Sequence, residues 1–332
     1  MASNKIMITT LPDHESLLYS ASITPSGIGA TADVYLNNPS TDNILWLHLC
    51  AINPKTRQWL ETETGIDQPM IEAMLAEDTR PRALIRDDEI LVNIRGMNLL
   101  DPDNQESMIS IRMWFKDNVV ITTRRRDILA IEDVKHFIEE GNGPKSIGNF
   151  LTMVTERVYA RMESYIENLD DCVSMVEEKV AIDPEADVAR DIATIRRRNA
   201  EFRRHIIPQK LVLEHLIKSN VGWLAEESIE SIIESHDKVT RYTEDLNDIR
   251  DRVQILNEEI WQLQAKQLNK TAFMFSVAAT IFLPLSFFTG LMGINVGGMP
   301  GLDNVAGFWI VVVICVLIFI ALIIMFRKRR WF

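Results

Sequence analysis

With 332 residues, 47% of them hydrophobic and 25% charged, the chain is long enough for a sizeable core and too apolar for a disordered polymer. A formal charge of −12 argues against nucleic acid as a partner and favours cations. Cys50, Cys172 and Cys315 lie far apart with no CxxC pair, so neither a disulfide frame nor a thiolate zinc site is indicated.

The charge is unevenly spread. Residues 327–332 carry +4 and Asp303 is the only acid beyond Glu259, which leaves −15 for the remainder. The opening "MASNKIMITTLPDHES" has no apolar signal core, so the N-terminus is expected to stay in the cytoplasm. Residues 1–146 read as a mixed domain of strands and helices. "NILWLHLCAI" and "EILVNIRGMNLL" have the apolar density of buried strands. "SMISIRMWF" and "VVITTRRRD" predict a hairpin turning at Lys116-Asp117-Asn118. "QPMIEAMLAED" and "ILAIEDVKHFIEEGNG" have helical period, the latter closing on glycine. The run Arg124-Arg125-Arg126 is expected to be the solvated end of the hairpin.

Residues 147–271 are expected to form a helical stalk. One helix spans about Ile147–Ile182 and stops at Asp183-Pro184. A second spans about Glu185–Asn220, with Pro208 as a kink point. A third begins near Glu226 and meets no glycine or proline before Pro284; taken to Met292 it is roughly 100 Å long. Ile232, Val239, Leu246, Val253 and Ile260 recur every seven residues, with Tyr242, Ile249, Leu256 and Leu263 between them. This heptad seam predicts packing against the two preceding helices.

Residues 272–292 and 308–326 are uncharged runs that each reach roughly 30 Å as helices, enough to cross a bilayer. Lys266 and Lys270 before the first and the Arg327–Arg330 cluster after the second predict cytoplasmic termini, with residues 293–307 as an outer loop and 327–332 as a basic tail. The second span is plain Val/Ile/Leu/Phe. The first carries Ser276, Thr280, Pro284, Ser286, Thr289 and Gly290, residue types that face other helices or water in a membrane.

Opposite the heptad seam runs a second face: Asp237, Arg241, Glu244, Asp248, Asp251, Ile255, Glu258, Gln262, Ala265 and Asn269. It continues in phase as Ala272, Ser276, Ala279, Leu283, Ser286 and Gly290. A solvated surface would explain the acidic part alone. Its continuation into the small, polar face of a span favours an aqueous path for cations, closed by several copies around an axis because two spans cannot enclose one. A membrane-anchored coiled-coil scaffold would not need that face. The six histidines form no HxxH or HExxH pair, so an enzyme is not indicated.

An acidic α+β body, long helices, two C-terminal spans and a basic tail resemble the CorA-type metal-ion transporters. "FLPLSFFTGLMGIN" is similar to the family segment that ends in Tyr-Gly-Met-Asn. Met292 stands at the tyrosine and Ile294 at the central methionine. The signature followed by "VGGMPG", with "EDTRPR" and "EEGNGP" upstream, is similar to the zinc-transporter (ZntB) branch. The resemblance implies a funnel-shaped homopentamer in a bacterial inner membrane that moves Zn2+ or another divalent cation, with no further cofactor and proton coupling in the zinc branch. A magnesium or cobalt channel is the alternative within the family. Gly293, Ile294 and Asn295 match the signature at the outer mouth, where the Asn295 amide would meet a hydrated ion in passing. Leu283 and Ser286 match pore-lining positions and Glu258 an acidic ring. Glu244, Asp248 and Asp251 would add rings above it, and Asp303 is the one acid in the outer loop. A second Gly96-Met97-Asn98 sits after a soluble strand and reads as coincidence.

Overall fold

The computed structural model describes residues 8–37, 42–77, 80–100, 107–184, 186–294 and 306–328. It divides into two units, Met1–Leu256 and Asn257–Phe332. The first begins with strands β1 (Leu17–Ile23) and β2 (Gly29–Ala30), helix α1 (Ala32–Asn37), β3 (Ile44–Cys50), and helices α2 (Pro54–Glu63) and α3 (Gln68–Leu75). It continues through β4 (Arg82–Arg86), β5 (Glu89–Met97), β6 (Met108–Lys116), β7 (Val119–Arg124), α4 (Leu129–Glu139), α5 (Ile147–Ile182) and α6 (Ala189–Ile217). Helix α7 (Glu226–Met292) enters the second unit, which ends with α8 (Gly307–Lys328).

The seven strands form one sheet in the order β2-β1-β3-β7-β6-β5-β4, antiparallel except for the β3–β7 pair. Alternation along each strand sends side chains to two faces. Leu45, Leu47, Leu49, Trp114 and Ile121 meet Trp59, Leu60, Met70, Ile71 and Met74 of α2 and α3 on one face. On the other, Trp46 and Phe115 pack edge-on against Phe150 of α5, with centroids 4.9 and 6.2 Å apart. Covered on both faces, β3 is apolar almost throughout, which is why its residues read as one continuous run. The β6–β7 hairpin turns at the expected residues, pairing Lys116 with Val119, and Asp117 takes a φ of 50°. Asp and Asn tolerate that left-handed region better than other side-chain-bearing residues.

Strands β1, β2 and β4 and helices α1 and α2 were not singled out by apolar patterning. Two are very short, and α2 announces itself only by its Asn53 cap, whose side chain accepts from Lys55 N at 2.9 Å, and by Pro54 at its start. Helix α6 is shorter than expected. It starts at Ala189 and ends where the Ser219 hydroxyl takes the Leu216 carbonyl at 2.6 Å, a local bond that competes with continuation. Pro208 lies within it without ending it. The glycines of "EEGNGP" have structural tasks. Gly141 closes α4 at a φ of 78°, and Gly143 donates its N–H to the Gly27 carbonyl at 2.9 Å, so close that a Cβ on Gly27 would stand 2.6 Å from the Gly143 oxygen.

The Arg124–Arg126 run departs from the expectation of a solvated end. Arg124 pairs with Asp127, and Arg125 is half-buried, reaching the Leu75 carbonyl at 3.4 Å. Thr123 donates to the Met74 carbonyl at 2.7 Å and buried Arg112 to that of Ala76 at 2.5 Å. The last carbonyls of α3 thus draw donors from β6 and β7, because a helix C-terminus leaves its carbonyls unpaired and carries partial negative charge.

His48, fully buried in β3, holds its Nδ1 2.6 Å from the Thr122 hydroxyl, while its Nε2 has no partner. Burial, with the cations of Arg124 and Lys135 adding to it, holds its imidazole well below the ordinary 6.5. The folded state therefore binds fewer protons than the unfolded state once pH drops below that value. Its stability contribution is complete above about pH 6.5 and declines below it, by up to about 1.4 kcal/mol per pH unit. Denaturant unfolding of the full-length protein at pH 7.5 and 5.5 should show this loss, and His48→Leu should remove that share of the slope. An unchanged slope in His48→Leu would assign acid sensitivity to other groups.

Candidate functional site

Helix α7 is unbroken over 67 residues, and its two faces have different environments. In the first unit the heptad positions Ile232, Val239, Tyr242, Leu246, Ile249, Val253 and Leu256 are all buried. Tyr242 donates its hydroxyl to the Tyr159 carbonyl of α5 at 3.2 Å, and Asn199 of α6 donates to the Leu246 carbonyl at 2.9 Å. Burial, with Glu163 as the largest charge effect, raises the Tyr242 phenol well above its ordinary value, so it remains a donor. The seam ends there: Ile260 and Leu263, expected to continue it, are only half-covered in the single chain.

On the opposite face Glu244, Asp248, Asp251 and Glu258 are exposed. Asp251 makes a 2.6 Å pair with its neighbour Arg250, with both side chains more than half exposed. Such a pair has little hold on the fold. Asp245, beside this face, has its carboxyl raised by partial burial and by the charges of Asp170, Glu244 and Asp248. That is the electrostatic sign of crowded carboxylates that gain from a nearby cation.

In the second unit α7 and α8 are both long and apolar enough to cross a membrane. Val277 of α7 and Phe326 of α8 are the buried residues among those described there. Between residues 272 and 292 the partly covered positions of α7 are Phe273, Ile281, Leu285 and Phe288, which share a face with Val277. Those of α8 are Gly307, Val311, Val312, Cys315, Ile318 and Leu322, in line with Phe326. The covered side of α7 in this stretch is therefore its apolar face. At about 100° per residue it lies roughly 160° from the face of Ala272, Ser276, Ala279, Leu283, Ser286 and Gly290. All six of those residues, and Asn269 before them, are exposed. Hydroxyls on this stretch turn inward to their own helix, Thr280 to the Ser276 carbonyl at 2.8 Å and Thr289 to that of Leu285 at 3.0 Å.

Helix α7 closes with Gly293 N–H on the Thr289 and Gly290 carbonyls at 3.0 and 3.1 Å. Gly293 and Ile294 are both exposed. Neither Gly290 nor Gly293 has a positive φ, and a Cβ on Gly290 would meet nothing within 4 Å. Contacts within one chain do not require either glycine. Asn295 and Asp303 lie outside the described residues. Among the described residues no cluster of three His, Cys, Asp or Glu side chains could hold a resident metal. Gly96-Met97-Asn98 ends β5, where Asn98 is buried and donates to the Ser107 hydroxyl at 3.1 Å.

Residues 41–328 match the model of the family described as CorA-like Mg2+ transporter protein. The divalent cation transporter CmaX of Pseudomonas aeruginosa is 33% identical over 292 residues, covering 86% of this chain and 87% of that one. The zinc transport protein ZntB of Pectobacterium carotovorum is 28% identical over 286 residues, with 86% and 87% covered. The solved structure of full-length CmaX superposes with a TM-score of 0.82 at 31% identity, covering 97% of this chain and all of that one.

The two faces of α7 predict different mutational costs. Ile249→Ala should destabilise the protein by about 2–4 kcal/mol through the cavity it leaves. Asp248→Asn together with Asp251→Asn should change stability by less than about 1 kcal/mol. Unfolding curves measure both, and a large loss from the double change would mean that these acids are structural.

Proposed function

The chain belongs to the CorA-like family of Mg2+ transporter proteins, and on that premise we propose that it is a homopentameric divalent-cation transporter of the bacterial inner membrane, with both termini cytoplasmic and Zn2+ as its principal cargo. It acts as a conductor of ions and not as an enzyme. The observation that carries this reading is the continuous exposed face of α7. The other side of that helix is covered, by the heptad seam in the first unit and in part around Val277 in the second. What remains uncovered runs from Glu244, Asp248, Asp251 and Glu258, through Asn269, to Ala272, Ser276, Ala279, Leu283, Ser286 and Gly290. An exposed hydroxyl and small-residue face inside hydrocarbon is stable only against another protein surface or water. Two spans cannot form a tube, so copies close around an axis, and the family resemblance makes them five.

In that assembly about twenty carboxylates from the four rings concentrate cations at the cytoplasmic entrance. Within the bilayer the lining offers hydroxyls and small side chains, not thiolates or imidazoles, so the ion keeps most of its water. Selectivity among Zn2+, Co2+, Ni2+ and Cd2+ is then modest. At the outer mouth Asn295 supplies a ring of uncharged acceptors for the hydration shell. Weak acceptors let an ion leave as readily as it enters. Gly290 and Gly293, unneeded within one chain, let helices approach at the axis. The likeness to zinc transport proteins supports Zn2+, and "VGGMPG" carries no acid that would hold Mg2+ at the mouth. A coupled proton would use Asp303 or a ring carboxylate, since neither span contains an ionisable acid or histidine.

The deciding experiment is flux of Zn2+ and Mg2+ into proteoliposomes, with and without a pH gradient, on protein whose mass in detergent is five times the 38.0 kDa chain. Zn2+ entry that a pH gradient accelerates supports the reading in full. Mg2+ entry without Zn2+ entry would move the chain to the magnesium channels, and a stable monomer would remove the pore altogether.

Asn295→Ala should sharply lower flux while leaving folding and assembly intact, because it removes the acceptor ring alone. Asn98→Ala is the control. It loses a buried hydrogen bond worth about 1 kcal/mol but should conduct normally once folded. Normal conduction by Asn295→Ala with failure of Asn98→Ala would mean that the wrong tripeptide lies on the ion path.

A further inference from the structure

Arg252 of α7 sits one turn before Leu256, the last buried position of the seam, and only a quarter of its side chain is exposed. Its Nε and Nη2 donate to the two carboxylate oxygens of Glu177 at 3.0 and 2.7 Å. Nη1 donates to Asp170 Oδ1 at 2.6 Å, and Nη2 also reaches the Ser174 hydroxyl at 3.0 Å. Asp248, one turn back on α7, is 3.8 Å away. Asp170, Ser174 and Glu177 occupy one face of α5 at spacings of four and three. A planar guanidinium in two-pronged contact with Glu177 and a third bond to Asp170 resists both sliding and rotation of α7 on α5; a lysine in its place would be a point charge free to swivel.

The register is held at a second point. Lys238 pairs with Glu163 at 3.7 Å, and this pair, like Arg252 and Glu177, lies 75 residues apart in the chain. The two contacts are two heptads apart on both helices, which run parallel. The lysine pair is single-pronged, as are the bonds of Tyr242 to the Tyr159 carbonyl and of Asn199 to the Leu246 carbonyl, and the fork at Arg252 is the two-pronged contact nearest the end of the seam. Beyond Leu256 every residue of α7 up to Lys270 is half or fully exposed in the single chain, and no seam corrects the phase further on. A change of one residue in phase turns a helix by about 100° and would bring Asn257 or Glu259 to the place of Glu258.

We propose that Arg252 is a positioning residue for transport: by forking onto Glu177 and Asp170 it fixes the rotation at which α7 leaves the cytoplasmic unit, and so decides which face of the helix lines the ion path. The inference rests on the exposed face being the conduction face. Removing the guanidinium also leaves Asp170, Glu177 and Asp248 near one another without a counter-charge, a repulsion that their exposure to solvent weakens.

The test reads phase separately from flux. In full-length protein with Cys50, Cys172 and Cys315 replaced by serine, single cysteines at positions 257, 258, 259 and 260 are treated with a short bismaleimide, and cross-linking between copies is measured. With Arg252 in place the yield should peak for Glu258→Cys. With Arg252→Met the peak should spread to its neighbours. Zn2+ flux of that variant without the added cysteines should fall about tenfold while the assembly mass is kept. Arg252→Lys should fall between the two. Should Arg252→Met fail to assemble, Glu177→Gln removes the charged acceptor at similar shape and is read the same way. An unchanged peak with unchanged flux overturns the proposal. So does reduced flux with the peak still sharp at 258 and a lower melting temperature, which would make Arg252 a stabilising residue only. The absence of any peak with Arg252 in place would overturn the conduction-face reading itself, and this inference with it.

Discussion

Everything in this molecule turns on one constraint: α7 is a single helix whose exposed face continues without a break from an acidic stretch into an uncharged one. Over 67 residues α7 cannot reorient part-way, because no loop absorbs a rotation and its one proline, Pro284, lies within the uncharged run. Packing against α5 and α6 fixes the azimuth of α7 as far as Leu256. The heptad seam supplies the attraction, since Val239, Leu246, Ile249 and Val253 gain by leaving water wherever they pack. Apolar contacts are tolerant of small rotations, whereas hydrogen-bonded forks are not. The two kinds of contact divide the work, affinity from the seam and phase from the polar pairs.

The α/β body is tied to the same helices. Its sheet is covered on one face by α2 and α3 and on the other by α4 and the start of α5, where Phe150 meets Trp46 and Phe115. Gln209 of α6 accepts from the Arg95 N–H of β5 at 3.0 Å, and Trp223, between α6 and α7, donates to the Asp88 carbonyl at 2.8 Å. A change in the sheet thus has a covalent and hydrogen-bonded route to the base of α7. Buried His48 and Arg112 sit within that sheet with polar atoms left unpartnered, a cost that apolar packing on both sides must offset.

Much of the helical architecture was legible because its signal is local and periodic. The bounds of α5 and α7, the β6–β7 turn and the two uncharged runs follow from spacing, caps and charge within a few residues. The exposed face of α7 was legible for the same reason, as a phase that can be counted along the chain. Strand β4 was not. It stands at the edge of the sheet among the described residues, and its five residues begin and end in arginine, leaving only Ala83, Leu84 and Ile85 as an apolar run too short to mark a strand. The half-buried state of Arg125 was missed because the Leu75 carbonyl it reaches lies at the end of α3, fifty residues earlier, next to the Met74 carbonyl that Thr123 serves. The sequence resemblance to zinc transporters and the glycines of "EEGNGP" met in an unexpected place, a contact between Gly27 and Gly143 that no local pattern signals.

By itself, the sequence determined the long helices α5 and α7, the central strands, the two uncharged runs and the polar face of the long helix, since hydrophobic and helical periodicity are properties of neighbouring residues. Only the tertiary structure decided what each face meets. The parallel pairing of β3 with β7 places Trp46 and His48 beside Val120 and Thr122, more than seventy residues on. Partial cover falls on the Val277 face of α7 and leaves the Ser276 face open. The partners of Arg252 lie 75 residues earlier on another helix. Such contacts depend on how the chain closes on itself, and the free energy that selects them comes from packing and charge pairing between segments, which no window along the sequence contains.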